Sequence, residues 1–177
     1  MAPYQPELWH DFFLATAGAA AALAGLLFVA LSLHTRYIAT NTVYRDMARG
    51  SVIGLVMALI LSLLVLVQQP VTWLAAEYIA AGGVYVVFVG GRQLLDMRRA
   101  RRRIPGESLV RSMAAYVLSA IGIVAGIGLA VSAGPGLYAV AVIVVAIVLW
   151  SLWNAWVLVM RVADEEIESE SAQPGSR

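Results

Sequence analysis

Five apolar runs dominate this chain: Phe12–Leu33, Ser51–Val67, Val71–Gly91, Met113–Ala133 and Leu137–Val159. A helix rises about 1.5 Å per residue, so crossing ~30 Å of hydrocarbon takes roughly 20 residues. Four of the runs meet that length. The second is shorter and borrows Met47–Gly50 for its first turn. A soluble domain of 177 residues, 61% of them hydrophobic and 13% charged, has too much surface for its volume to hide so much carbon. A bilayer removes that demand. The expected fold is an all-α membrane protein, a bundle of five transmembrane helices.

The arginines set its orientation. Arg36, Arg45 and Arg49 lie in 34–50. Arg92, Arg98, Arg99, Arg101, Arg102, Arg103 and Arg111 lie in 92–112, and Arg161 and Arg177 in the tail. Together these are all twelve basic residues, and the segments between them carry none. Basic loops stay cytoplasmic, which predicts an external N-terminus and a cytoplasmic C-terminus. The chain divides into a short external segment 1–11, a transmembrane domain 12–160 and a tail 161–177. The tail is acidic (Asp164, Glu165, Glu166, Glu168, Glu170) and is expected to be disordered beyond its first turns. The first run lacks a basic leader and follows Glu7 and Asp11, so it does not read as a signal peptide. Gln68-Gln69-Pro70 and Gly134-Pro135-Gly136 read as tight turns. Tyr4 and Trp9, Trp73 and Tyr78, and Trp150, Trp153 and Trp156 suit the headgroup level.

Small residues recur every fourth position: Ala17, Ala21 and Gly25; Gly50, Gly54, Ala58 and Ser62; Gly122, Gly126, Ala130 and Gly134. Such stripes let helix backbones approach closely in lipid. Gly54, Gly122 and Gly126 are the candidate packing positions. The β-branched stretch Val140–Val148 is expected to face lipid.

Few residues carry chemistry. Arg98, Arg99, Arg101, Arg102 and Arg103 read as a topology determinant that also suits anionic lipid headgroups. No aromatic residues interleave this run, which argues against nucleic acid. On the other side, Glu7, His10 and Asp11 share one helical face. With Glu77 they have the composition of a cation or proton site. Glu7 and Asp11 equally serve as negative charges at a helix N-terminus. Glu77 is the one carboxylate inside an apolar run, ~9 Å below the start of its span. A charge at that depth is costly and often functional, although a side chain so near the boundary also reaches water. Asn154 suits either a helix seam or the interface.

His10 and His34 stand ~36 Å apart along one helix, too far to share a metal or haem. Cysteine is absent, which removes thiolate chemistry. There is no Gly-x-Ser-x-Gly, His-Glu-x-x-His or phosphate-binding loop. No cofactor and no enzymatic activity are expected.

Trp9-His10-Asp11-Phe12-Phe13, the run Ala17–His34, then Tyr44-Arg45 and Ala48-Arg49-Gly50-Ser51 resemble a family of small bacterial membrane proteins, some labelled modulator of FtsH protease. The likeness covers the first third well and the rest by helix count. It implies a bacterial inner-membrane address and interaction with a membrane protease, and it carries over no functional residues. The expected function is non-enzymatic: helix–helix contact with another membrane protein or with further copies, as an accessory or modulator of a membrane complex. The alternative is a small oligomeric ion or proton transporter using the acidic outer face and Glu77.

Overall fold

The structure is a computed structural model and describes residues 6–100, 106–131 and 136–171. Among these residues the chain is helical, with no strands. A 3-10 turn, Pro6–Trp9, leads into α1 (His10–Leu33), followed by α2 (Thr35–Thr40), α3 (Thr42–Leu66), α4 (Val71–Ala100), α5 (Gly106–Ala130) and α6 (Leu137–Ser171).

Local chemistry explains the boundaries. Glu7 and Asp11 lie in the first turns at the start of α1, where the helix dipole favours negative charge. At its other end, side chains contact backbone carbonyls. Ser32 Oγ donates to Phe28 O at 2.8 Å, Thr35 Oγ1 donates to Ser32 O at 2.7 Å, and His34 Nδ1 lies 3.0 Å from Ala30 O. Such bonds compete with the helical ladder, and α1 gives way to α2 here. Asn41 then caps α3, its Oδ1 accepting the Val43 N–H at 2.9 Å. This is the usual service of an N-cap asparagine. The segment 34–50 is therefore largely helical, and α3 begins at Thr42 rather than near Met47. Pro70 opens α4, its carbonyl accepting from Trp73 N at 2.9 Å and Leu74 N at 3.3 Å. Gly136 adopts φ 54° just before α6, a left-handed conformation natural to glycine.

Among the described residues, three helices are long and apolar enough to cross a membrane: Glu7–Leu33, Thr42–Leu66 and Leu137–Glu165. In α4 and α5 the described apolar stretches are shorter, Val71–Val87 and Ser119–Ala130. Large apolar side chains are exposed along the helices. Leu26, Phe28 and Leu33 stand out on α1, Val56, Ile60 and Leu63 on α3, Val117, Val124 and Val131 along and just beyond α5, and Val142, Leu149 and Trp153 on α6. The buried polar residues include Ser51, Ser62, Ser119, Ser151 and Asn154. Water-facing surfaces do not look like this, because contiguous apolar patches on soluble monomers are small. The arrangement is that of a helical protein suited to a membrane.

The chain divides into two compact units. One comprises Met1–Leu14 and Leu63–Val144, the other Ala15–Ser62 and Val145–Arg177. In the first, α4 packs against α5. Tyr78 is buried at 2% exposure, so it is a core side chain and not the interfacial aromatic its position suggested. Val140, Ala141, Ile143 and Val144 are also buried, which corrects the expectation that Val140–Val148 faces lipid; Val142 and Val145 are the exposed members. In the second unit, α1, α3 and α6 meet in two clusters. Leu27, Leu55 and Ala155 form one; Tyr44, Met47, Ala48, Leu158 and Val162 form the other. The helix α6 continues through the first turns of the acidic segment to Ser171.

Candidate functional site

The side-chain partner of Glu77 is Gln69. The Gln69 amide nitrogen donates to Glu77 Oε2 at 2.7 Å and lies 3.2 Å from the Leu64 carbonyl. Leu64 is in the last turn of α3, where carbonyls lack partners within the helix. One amide group, carried on the α3–α4 turn, thus satisfies a helix end and a carboxylate together. Glu77 is half-buried, and the bond helps offset the cost of removing its charge from water.

Glu7, His10 and Asp11 are exposed. Among the described residues, no group of three or more His, Cys, Asp or Glu is placed to hold a metal ion. The four outer residues are therefore not gathered into one metal-holding group. The start of α1 is instead organised by rings. Trp9 meets Tyr138 edge-on at 4.5 Å and Phe12 at 5.8 Å, and Phe12 meets Phe13 at 5.1 Å. T-shaped pairs at these distances add specific attraction to apolar burial, and through Trp9 they tie the 3-10 turn before α1 to the first turn of α6.

The second unit carries a polar contact that sequence reading did not anticipate. Tyr44 OH donates to Glu165 Oε1 at 2.6 Å, joining α3 to the distal part of α6. The residues are 121 positions apart, and nothing in local pattern pairs them. Asn154 donates through Nδ2 to the Trp150 carbonyl of its own helix at 2.9 Å and is buried.

The candidate packing glycines differ from one another. A Cβ on Gly54 would run into the Ser151 side chain of α6. A Cβ on Gly126 would lie 2.8 Å from Ile79 Cγ1 and 3.1 Å from the Ala75 carbonyl oxygen of α4. Gly122 has nothing within 4 Å of that point, and the close approach shared with Gly126 falls at Gly82, whose Cβ would lie 2.8 Å from Ile123 Cγ1. Gly18, Gly25 and Gly50 are likewise open. The side chains of Arg98 and Arg99, and Arg101, Arg102 and Arg103 entirely, lie outside the described residues, as does the Gly134-Pro135 turn.

Substitution separates the two roles of the Gln69–Glu77 pair. Glu77→Gln keeps an acceptor of the same shape and is expected to melt close to the wild type in detergent. Gln69→Leu leaves the Leu64 carbonyl and the carboxylate without their shared donor and is expected to cost about 1–3 kcal/mol. Equal melting of Gln69→Leu and the wild type would show that water replaces the amide freely.

The chain matches no family model, no curated protein and no solved structure.

Proposed function

We propose that this chain is a multi-pass protein of a bacterial inner membrane that acts through helix–helix contact, as an accessory or modulator of a larger membrane complex. A membrane protease is the complex that the family resemblance implies. The observation that carries this reading is how the polar side chains are spent. The Gln69–Glu77, Tyr44–Glu165 and Asn154–Trp150 bonds are all internal, and the exposed surface of the long helices is largely carbon. Such a surface offers shape and packing to a neighbouring helix. We further propose five spans, with α4 and α5 crossing as a pair, an external N-terminus and a cytoplasmic tail. The arginine distribution supports that orientation.

The rival, ion or proton passage using Glu77 and the acidic outer face, asks for polar groups near the midplane or broken helices. The geometry gives it less support, since Glu77 is hydrogen-bonded to Gln69 and Glu7 and Asp11 are exposed.

Two experiments test these proposals. A reporter active only outside the cell is expected to work when fused before Pro6 or within 134–136, and to fail at 104–106 or after Arg177. External activity at 104–106 would overturn both the span count and the orientation. Purification of the tagged protein from native membranes is expected to bring down a stoichiometric membrane partner. A self-oligomer instead, passing cations in liposomes and losing that flux in Glu77→Gln, would favour the rival.

A further inference from the structure

Serine in an apolar helix commonly disposes of its hydroxyl by bonding a carbonyl one turn back. Ser32 does so with Phe28 O, and Ser62 with Ala58 O, both at 2.8 Å. Ser51 does not. It is 1% exposed, and its buried Oγ has no hydrogen-bond partner among the described residues. A buried hydroxyl left in that state costs free energy, and in native structures such a group calls for a specific explanation.

Its position supplies one. On α3, Ser51 lies one turn before Gly54 and Leu55, on the face that packs against α6. Gly54 stands against Ser151, Leu55 clusters with Ala155, and Tyr44 bonds Glu165. Numbers rise along one helix as they fall along the other, so the pair is antiparallel. Three residues back from Gly54 is Ser51, and three residues on from Ser151 is Asn154. The register at the Gly54–Ser151 contact therefore brings these two polar residues to neighbouring levels of the seam. Asn154 is only 9% exposed, and its NH2 group donates to Trp150 O of its own helix. Its amide oxygen remains as an acceptor. The two groups do not bond each other directly, and the buried clusters of this unit are apolar, with Leu27, Met47, Leu55 and Leu158 among their members.

We propose that Ser51 and Asn154 hold one internal water molecule between α3 and α6. The Ser51 hydroxyl donates to the water oxygen, and the water donates to Asn154 Oδ1 and to the Met47 carbonyl, whose second lone pair Ser51 leaves unused. Three partners are the usual complement of a buried water. A neutral occupant suits the site, because a serine and an asparagine bring no charge to balance an ion in apolar surroundings. Glu165, a carboxylate on this seam, is engaged by Tyr44 OH, and Tyr44 lies two turns from Ser51 along α3. The site rests on the α3–α6 register alone and not on the proposed function.

Water-edited solid-state NMR of the full-length protein in liposomes tests it. Magnetisation from water is expected to reach Ser51 and Asn154 several-fold faster than the equally buried Leu55 and Ala58 on the same helix face. Transfer to Ser51 as slow as to Leu55 would overturn the proposal. In Ser51→Ala, the rapid transfer to Asn154 is expected to disappear and the melting temperature to fall. If Ser51 were merely an orphaned hydroxyl, the same substitution would raise the melting temperature and leave Asn154 unchanged. Should Ser51→Ala fail to fold, the wild-type measurement still decides.

Discussion

Gly126→Ala is expected to lower stability by about 1–3 kcal/mol, the usual cost of forcing an extra group into a packed core, while Gly122→Ala, four residues away on the same helix, is expected to be neutral or slightly stabilising. The contrast comes from what each new methyl would meet. At Gly126 it would lie 3.1 Å from the Ala75 carbonyl oxygen and 3.2 Å from the Ile79 amide nitrogen. Both belong to the backbone of α4 and cannot rotate aside, so the helices must part. Ile79 Cγ1, at 2.8 Å, can move, but doing so disturbs neighbours of its own. At Gly122 nothing lies within 4 Å, and alanine is the better helix former by up to about 1 kcal/mol. Thermal melting of both variants in detergent, with Gly82→Ala as a second close-approach position, checks this. If Gly122→Ala proved the more damaging, the face that α5 turns toward α4 would have to be reassigned.

The second large effect is expected at the Tyr44–Glu165 bond. Tyr44→Phe keeps the ring within its cluster of Met47, Ala48, Leu158 and Val162 and removes the hydroxyl alone. Hydrogen bonds to charged groups contribute roughly 1.5–3 kcal/mol. The lower end applies here, because Glu165 is half-exposed and water takes over part of the role. Most of the loss should appear locally. Beyond Met160, Val162 and this bond are among the contacts that hold α6 against α3, and its last turns are expected to open on their own. A cost of ~1.4 kcal/mol is a tenfold change in a local opening equilibrium. Hydrogen exchange of amides at 163–171 is therefore expected to quicken about tenfold in Tyr44→Phe, with α4 and α5 unaffected. Unchanged exchange there would mean that the apolar cluster alone holds the end of α6.

The long helices were legible because apolar runs and their punctuation are local signals. Val71 after Pro70 and Leu137 after Gly136 were readable as helix starts, and Leu33 as an end. The start of α3 was hidden because hydropathy weighs Thr42, Arg45 and Asp46 as loop. The signal that decides it is Asn41, a capping residue that no hydropathy window registers. The small-residue stripes mark close packing at Gly54 and Gly126 but not at Gly50 or Gly122, and the reason is geometric. At 3.6 residues per turn, a strict four-residue repeat drifts ~40° per step around the helix. By the third step it has left the face where it began. Gly50 and Ser62, three steps apart, illustrate this, the first exposed and the second buried. The buried face of α3 follows the mixed spacing Tyr44, Met47, Ser51, Leu55, Ala58, Ser62. Gln69 was read as a turn residue and not as a partner for Glu77, because hydropathy scores an amide without regard to where it reaches. Tyr44–Glu165 was out of reach altogether, since pairing across 121 positions is a property of the fold.

The shortness of the Gln69–Glu77 contact in sequence bears on how the protein is made. Its three participants, Leu64, Gln69 and Glu77, lie within one stretch of fourteen residues and need no other part of the chain to meet. A nascent segment of this length leaving the ribosome already contains the donor that its carboxylate requires. On the proposed five-span topology, Glu77 can then enter the apolar phase with part of its hydration replaced from within that segment, at a lower insertion barrier than a bare carboxylate would face. A charge whose partner lay on a helix synthesised later would have to wait in the membrane unsatisfied.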